Sequence, residues 1–515
     1  MFALSLRFAA VLLSACCALG AQTLAQEVNL FTAASNGDLN RVQALLAGGA
    51  SANVVTSSGG TPLMMAAQNG YLDIVKALLD KGASIDACEQ DGESALSVAS
   101  QRGHSDVVAT LLAHGAKVDI ADHKGWTPLL WASQEGQLAV AEALLANKAD
   151  VNLQERKGYA ALLLAIEHDH LEVVKLLLGH GAHVNVPNSD GTTPLIAAAC
   201  CKRVEILEEL LAHGADINGK KNDGASALEL ASGNGRVDLV QALLSHGAVV
   251  AFTDNDGVSA LYMAAKNGHL DVLKALLDKG AEVNIRSNDG TTPLMVASLS
   301  GYLDVVEELI ARGADVRAHR LDGATALMAA SLSGHPDVAR VLLEKHADPN
   351  ARSQNGGTAL MFAAQQGNLD VVRTLLAAKA EVNVKTTDQG TTPLIFAVSH
   401  GNPNLARILL DAGAEVDAKK FDGGTALFAA SQDGELDAVK ALLAGGANAN
   451  ASLDDGTTAL MIAAYNGHVE VVRALLAGGA EVNQKNARGK TALGAAQIQG
   501  HDEVRAVLVH AGAKE

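Results

Sequence analysis

Aromatic side chains make up only 3 % of this 515-residue chain, with two Trp, five Tyr and eight Phe. A globule of this length normally divides into several domains, each with a bulky core. Here aliphatic and small residues carry most of the 49 % hydrophobic share, which fits a thin structure built from Ala, Leu and Val. Cysteine is also scarce. Two of the five stand at Cys16 and Cys17, leaving Cys88, Cys200 and Cys201 downstream, and this is no disulfide framework. Basic residues are in deficit, 39 Lys and Arg against 57 Asp and Glu, for a net charge of −18. That balance argues against nucleic acid or an anionic membrane as a main partner. The acids are scattered, as in a solvated, self-repelling surface, although a basic partner would also suit them. The sequence has no Gly-x-Ser-x-Gly elbow and no phosphate-cradling loop ending in Lys-Ser/Thr, so nothing points to an enzyme or to a cofactor.

What the chain has in abundance is a repeat of about 33 residues. Its clearest copy runs from Gly60-Thr61-Pro62-Leu63 through Ala66-Ala67 to Gly70, then Leu72, Val75, Leu78-Leu79 and Gly82-Ala83. The Thr61 position recurs at Ser94, Thr127, Ala160, Thr193, Ser226, Ser259, Thr292, Thr325, Thr358, Thr392, Thr425, Thr458 and Thr491. Every step is 33 residues except the 34 from Thr358 to Thr392, giving 15 copies with the incomplete first one around Phe31–Gly37. A fixed period of this size signals stacked repeats. Thr61 suits a helix cap and Pro62 the first helical position. Gly70 suits a left-handed stop, and the next leucines and valines have helical spacing. One copy cannot bury its apolar face alone, so neighbours must stack into a continuous core.

The Thr-Pro-Leu form stands at Thr61, Thr127, Thr193, Thr292 and Thr392, with Ala for Pro in copies such as Thr325-Ala326-Leu327. In this the chain resembles the ankyrin repeat family over about 490 residues. The family's usual His after that Leu is replaced here by Met64, Leu130, Ile196, Met295, Met328, Met361, Ile395 or Met461. The resemblance implies an all-α repeat solenoid of helix-turn-helix units joined by short β-hairpins or turns. It covers residues 27–515, with capping units at 27–50 and 488–515. It also implies a non-enzymatic scaffold that binds a protein partner on its concave face, and a monomer is expected.

The first 25 residues differ. Arg7 is the only charge, Phe8–Leu13 is apolar, and small residues follow. This is the layout of a secretory signal, and the apolar run is too short for a membrane span. Two processing outcomes stand. Ala18-Leu19-Gly20 suits ordinary signal cleavage. Leu13-Ser14-Ala15-Cys16 resembles a bacterial lipobox, in which Cys16 would be lipidated and would anchor the protein to a membrane. Both put the repeats outside the cytoplasm, with the bacterial periplasm the expected compartment.

The resemblance assigns the hairpin tips and the exposed end of the first helix to the partner. In the fourth repeat these are His123, Lys124, Trp126, Gln134 and Glu135. In the fifth they are Arg156, Lys157, Tyr159, Glu167 and His168. Two rare aromatics one repeat apart, beside basic residues on an acidic chain, suit binding anchors. The competing reading packs Trp126 and Tyr159 against the adjacent hairpin. Trp131 falls among core positions, while Phe421 and Tyr465 are weaker surface candidates.

Repeats five and six break a rule that the other thirteen keep, replacing the inter-helix Gly by Asp169 and Lys202. His168, His170, Cys200 and Cys201 lie beside them. A metal or thiol site at His168, Cys200 and Cys201 is the alternative reading, weakened by the absence of paired zinc-ligand spacing. A host-directed effector is a third. His114, His213 and His246 precede helix-terminal glycines, where they favour the negative end of the dipole. Asp73, Asp271, Asp304 and Asp370 recur near the start of the second helix, where they favour its positive end.

Overall fold

The computed structural model describes residues 29–200, 203–399 and 401–514. The leader with Cys16 and Cys17, and the pair Cys201 and Lys202, lie outside the described residues. The chain is an all-α repeat solenoid made of paired short helices. No strand forms among the described residues. The hairpins are held by isolated antiparallel bridges, such as Cys88 with Ser94 and Gln154 with Ala160.

Each pair has an inner and an outer helix, for example Pro62–Gln68 and Leu72–Asp80. Thr61 has extended backbone and its hydroxyl accepts from the Met64 N–H at 3.2 Å. Thr127, Thr292, Thr325 and Thr458 do the same for Leu130, Met295, Met328 and Met461. A hydroxyl in place of Ala at such a cap is worth about 1 kcal/mol. Asp73, Asp271, Asp304 and Asp370 lie in the first turn of their outer helices. At the far end His114, His213 and His246 place Nδ1 within 2.9 Å of the carbonyl four residues earlier.

The described residues divide into two compact units, one running up to Ala231 with Arg236–Val249 and the other made of Ser232–Gly235 with the chain from Val250 onward. In the N-terminal unit the inner helix Pro62–Gln68 packs on Ala95–Arg102, that on Pro128–Gln134, and that on Ala161–Glu167. In the C-terminal unit Ala260–Asn267, Pro293–Ser300, Ala326–Ser333 and Ala359–Gln366 form a like series. The core is one layer of small and aliphatic side chains, such as Leu63, Ala66 and Ala67 with Ile74, Val75 and Leu78, all buried. Burying one such Leu, Ile or Val contributes roughly 1.5–3 kcal/mol.

Three polar devices register repeats on their neighbours. At the outer end an Asn side chain spans two backbone groups of the following repeat. Asn53 Nδ2 donates to the Gly82 carbonyl at 3.0 Å and Asn53 Oδ1 accepts from the Ser84 N–H at 2.6 Å. Asn185, Asn284, Asn450 and Asn483 repeat the pattern. Between the helices, a histidine reaches back one repeat. Nε2 of His104, His269, His468 and His501 lies 3.0–3.1 Å from the carbonyls of Gln68, Gly233, Gln432 and Tyr465. A carbonyl only accepts, so Nε2 carries the proton. At the hairpin tips, backbone N–H groups bond to the tip before, as Gln90 does to the Ser58 carbonyl at 2.8 Å and Leu321 to Asp289 at 3.0 Å.

Asp289 shows how a tip is fixed. Its carboxylate accepts from the Ser287 hydroxyl at 2.6 Å and the Thr291 N–H at 3.0 Å, and pairs with Arg320 at 3.0 Å. The Ser287 hydrogen bond, with those from Thr291 and the Arg320 charge, holds its pKa down at about 2.

Two expectations follow. Asn53→Asp keeps the acceptor and loses the donor, while Asn53→Ala loses both. Urea unfolding should report graded losses of about 1 kcal/mol per bond, and equal losses would refute a two-bond clamp. A carboxylate with a depressed pKa lends stability above its ordinary value of 3.8 and loses it as pH falls toward 2. Asp289→Asn should therefore destabilise at neutral pH by less than about 1 kcal/mol, given its exposure. The gap should close across that acid window, and a gap independent of pH would show that its charge contributes nothing.

Candidate functional site

In the fourth and fifth repeats the hairpin tips are built on acids set into the turn, half-buried Asp122 and buried Glu155. Asp122 Oδ1 accepts from the N–H groups of Lys124 at 2.7 Å and Trp126 at 2.8 Å. Glu155, only 8 % exposed, accepts from Lys157 at 2.7 Å and Tyr159 at 3.2 Å. The two tips are joined by the Arg156 N–H donating to the Lys124 carbonyl at 3.0 Å. At the end of the inner helices His170 Nε2 reaches the Gln134 carbonyl at 2.9 Å. Its ring fills the space beside Gly136, where a Cβ would lie 2.5 Å from it and where φ is +68°. The two repeats are therefore locked to each other at the tip and at the helix end.

On this frame the side chains divide by chemistry. His123, Lys124, Arg156 and Lys157 are exposed at the tips. Among the described residues none of the four enters an ion pair, whereas Lys221 faces both Asp190 and Asp223 and Arg320 faces Asp289 and Asp322. Trp126 and Tyr159 are half-buried below them. Burial, then the Glu167 charge, pushes the Tyr159 phenol above its ordinary pKa, so it stays neutral and able to donate.

Trp131 is not a core residue. It is half-buried, and its ring centroid lies 4.3 Å from that of Trp126 with the planes tilted by 32°. Trp126 precedes the Thr127 cap by one residue and Trp131 follows it by four, and the first turn of the helix brings both to one face. The neighbour of Trp126 is thus an aromatic ring of its own repeat, which the sequence signalled only through that spacing. Tyr159 and Leu164 hold the same two positions one repeat on.

Of the helix-end candidates, Gln134 is half-buried and donates to the exposed Glu135 at 3.0 Å. Glu167 and His168 are exposed. Burial raises the Glu167 carboxyl above its ordinary range, opposed by the His168 charge and supported by that of Asp190. His168 holds its Nδ1 3.0 Å from the Leu164 carbonyl and stacks on His170, with centroids 6.2 Å apart.

His168 and Cys200 border one polar cleft of about 680 Å³, together with Glu167, Asp169 and Lys221. Asp169 holds the left-handed backbone that glycine holds elsewhere, at φ +62°, and accepts from Arg203 Nε at 3.1 Å. Cys88 and Cys200 are exposed. Among the described residues no three His, Cys, Asp or Glu converge as a metal site. Phe421 and Tyr465 are exposed, as their register implied.

The family model for ankyrin repeats matches overlapping segments that run without a gap from residue 30 to 515, among them 30–122, 129–221, 228–320, 327–420 and 427–515. No curated protein matches the chain. Matched from residue 30 to residue 515, the chain belongs to the ankyrin repeat family, whose repeats are in general modules for protein–protein interaction.

Proposed function

We propose that this protein is a non-enzymatic scaffold that works outside the cytoplasm and captures a segment of a partner protein on the tip and inner-helix face of its fourth and fifth repeats. The observation that carries the reading is the Trp126–Trp131 ring contact beneath basic tips that have no ion-pair partner among the described residues. Paired aromatics offer large, rigid contact area, and Trp, Tyr and Arg are the residues on which binding energy concentrates. Four basic groups on a chain of net charge −18 select for an acidic segment. The frame is fixed by backbone bonds, so little ordering is needed on capture. The leader-like first 25 residues support export, by ordinary cleavage or through a lipid on Cys16. The protein itself is taken as a monomer.

A second reading, an accessory to thiol or metal chemistry, draws on His168 and Cys200 sharing one cleft. Thiol titration and metal analysis of the purified protein separate it from the first.

The test is affinity capture from the native envelope with the wild type and with the double variant Trp126→Ala, Tyr159→Ala. Capture of the wild-type partner should fall by at least about tenfold, with far-ultraviolet circular dichroism unchanged. Lys124→Glu with Lys157→Glu should weaken capture at low salt and much less at high salt. Undiminished capture by both variants would remove this surface from the proposal. Recovery of the protein only from the cytoplasmic fraction would remove the export part.

A further inference from the structure

The C-terminal unit carries an apolar cleft of about 120 Å³ between successive inner helices, lined chiefly by Met295, Val296, Leu299, Met328, Leu332 and Phe362. Leu299 and Leu332 occupy the seventh position after the caps Thr292 and Thr325. That register holds Gln68, Gln101, Gln134 and Glu167 in the N-terminal unit. Here it holds leucines that are 44 % and 40 % exposed. A third leucine, Leu321, stands at the adjoining hairpin tip and is 71 % exposed. Scattered surface leucines are ordinary, but two lining one apolar cleft, with a third at the adjoining tip, form a patch that calls for a partner.

Charge on the rim says which partner. The tip position that is Lys124 and Lys157 in the fourth and fifth repeats is Asp256, Asp289 and Asp322 here, and all three are exposed. Arg320 is the one basic side chain lining the cleft, and it lies 3.0 Å from Asp289 and 3.6 Å from Asp322, so it is held by two carboxylates. The rim therefore keeps net negative charge. A cavity near this size accepts a single small apolar group.

We propose that this cleft docks an extended segment of a partner protein that carries a branched aliphatic side chain next to Lys or Arg. The aliphatic group fills the space between Leu299 and Leu332, and the cation meets the Asp256, Asp289 and Asp322 tips. The site is independent of the Trp126 surface and has the opposite charge preference.

The experiment pans a displayed library of random peptides against the purified full chain, then measures synthetic copies of the enriched peptides by fluorescence anisotropy. Enriched peptides should pair Leu, Ile or Val with an adjacent Lys or Arg. Their affinity should fall by at least about tenfold in Leu332→Asp and in the milder Leu299→Ala, Leu332→Ala. It should weaken in Asp289→Asn with Asp322→Asn and with rising salt, and should be unchanged in Trp126→Ala. No enrichment, or binding indifferent to the leucine variants, overturns the proposal. Self-association that Leu332→Asp abolishes would assign the cleft to a second copy and overturn it equally.

Discussion

A repeat made of helices seven and nine residues long, such as Pro62–Gln68 and Leu72–Asp80, has no core of its own. Helices this short are not stable in isolation, and Leu63, Ile74 and Leu78 are buried only because the neighbouring repeats cover them. Everything else in the molecule depends on that interface. It explains the small alanines on the inner helix, where Ala66 and Ala67 are fully buried and let backbones approach. It also explains why polar side chains are spent on bridging repeats. The Asn53 amide can serve both the Gly82 carbonyl and the Ser84 N–H because an amide has a donor and an acceptor at one tip. Asp86, at the same register, only accepts, from the Lys117 N–H at 3.0 Å, and compensates with the Lys117 ammonium at 3.8 Å.

The same constraint leaves part of each repeat unconstrained. Once the caps, the alanines and the clamps are in place, the side chains of the fourth and seventh residues after the cap and of the residue just before it change in type from repeat to repeat. These positions hold Trp131, Gln134 and Trp126 in one repeat and Val296, Leu299 and Thr291 in another. Their chemistry can drift without disturbing the stack, which is the usual separation of scaffold from site.

The architecture was legible in the sequence because the features that specify it are local. The Thr-Pro-Leu cap, the double alanine and the inter-helix glycine each act within a few residues and recur in phase. Trp131 was less legible. Met65, Val98 and Leu164 share its register, and a row of apolar residues at helical spacing reads as core. Only the packing shows that Met65, Val98 and Trp131 are half-buried while Leu164 is buried, and that a residue as large as Trp131 extends to its neighbour Trp126. The histidine row was visible as a recurrence, at His104, His170, His269, His335, His468 and His501. Its role was not, since the acceptor is a main-chain carbonyl 36 residues earlier, and a carbonyl leaves no trace in residue type.

The basic tips of the fourth and fifth repeats have a structural precondition. In most repeats the tip aspartate is itself part of the turn. Asp91, Asp223, Asp289 and Asp322 each accept the N–H two residues on, from Glu93, Ala225, Thr291 and Ala324. Replacing such an aspartate by lysine would orphan that N–H. Where Lys124 and Lys157 stand instead, the acceptor has moved two residues upstream. Asp122 and Glu155 take both the lysine N–H and the N–H of Trp126 or Tyr159. The turn keeps its acceptor, and the outermost position is released to carry positive charge. A change of sign at the surface thus rests on an acid, half-buried at Asp122 and buried at Glu155, whose placement keeps the fold indifferent to it. Asp254 does the same under the acidic tip Asp256, and Asn486 under Arg488, so the device frees the tip for either sign, and in the fourth and fifth repeats it underlies basic residues beside Trp126 and Tyr159.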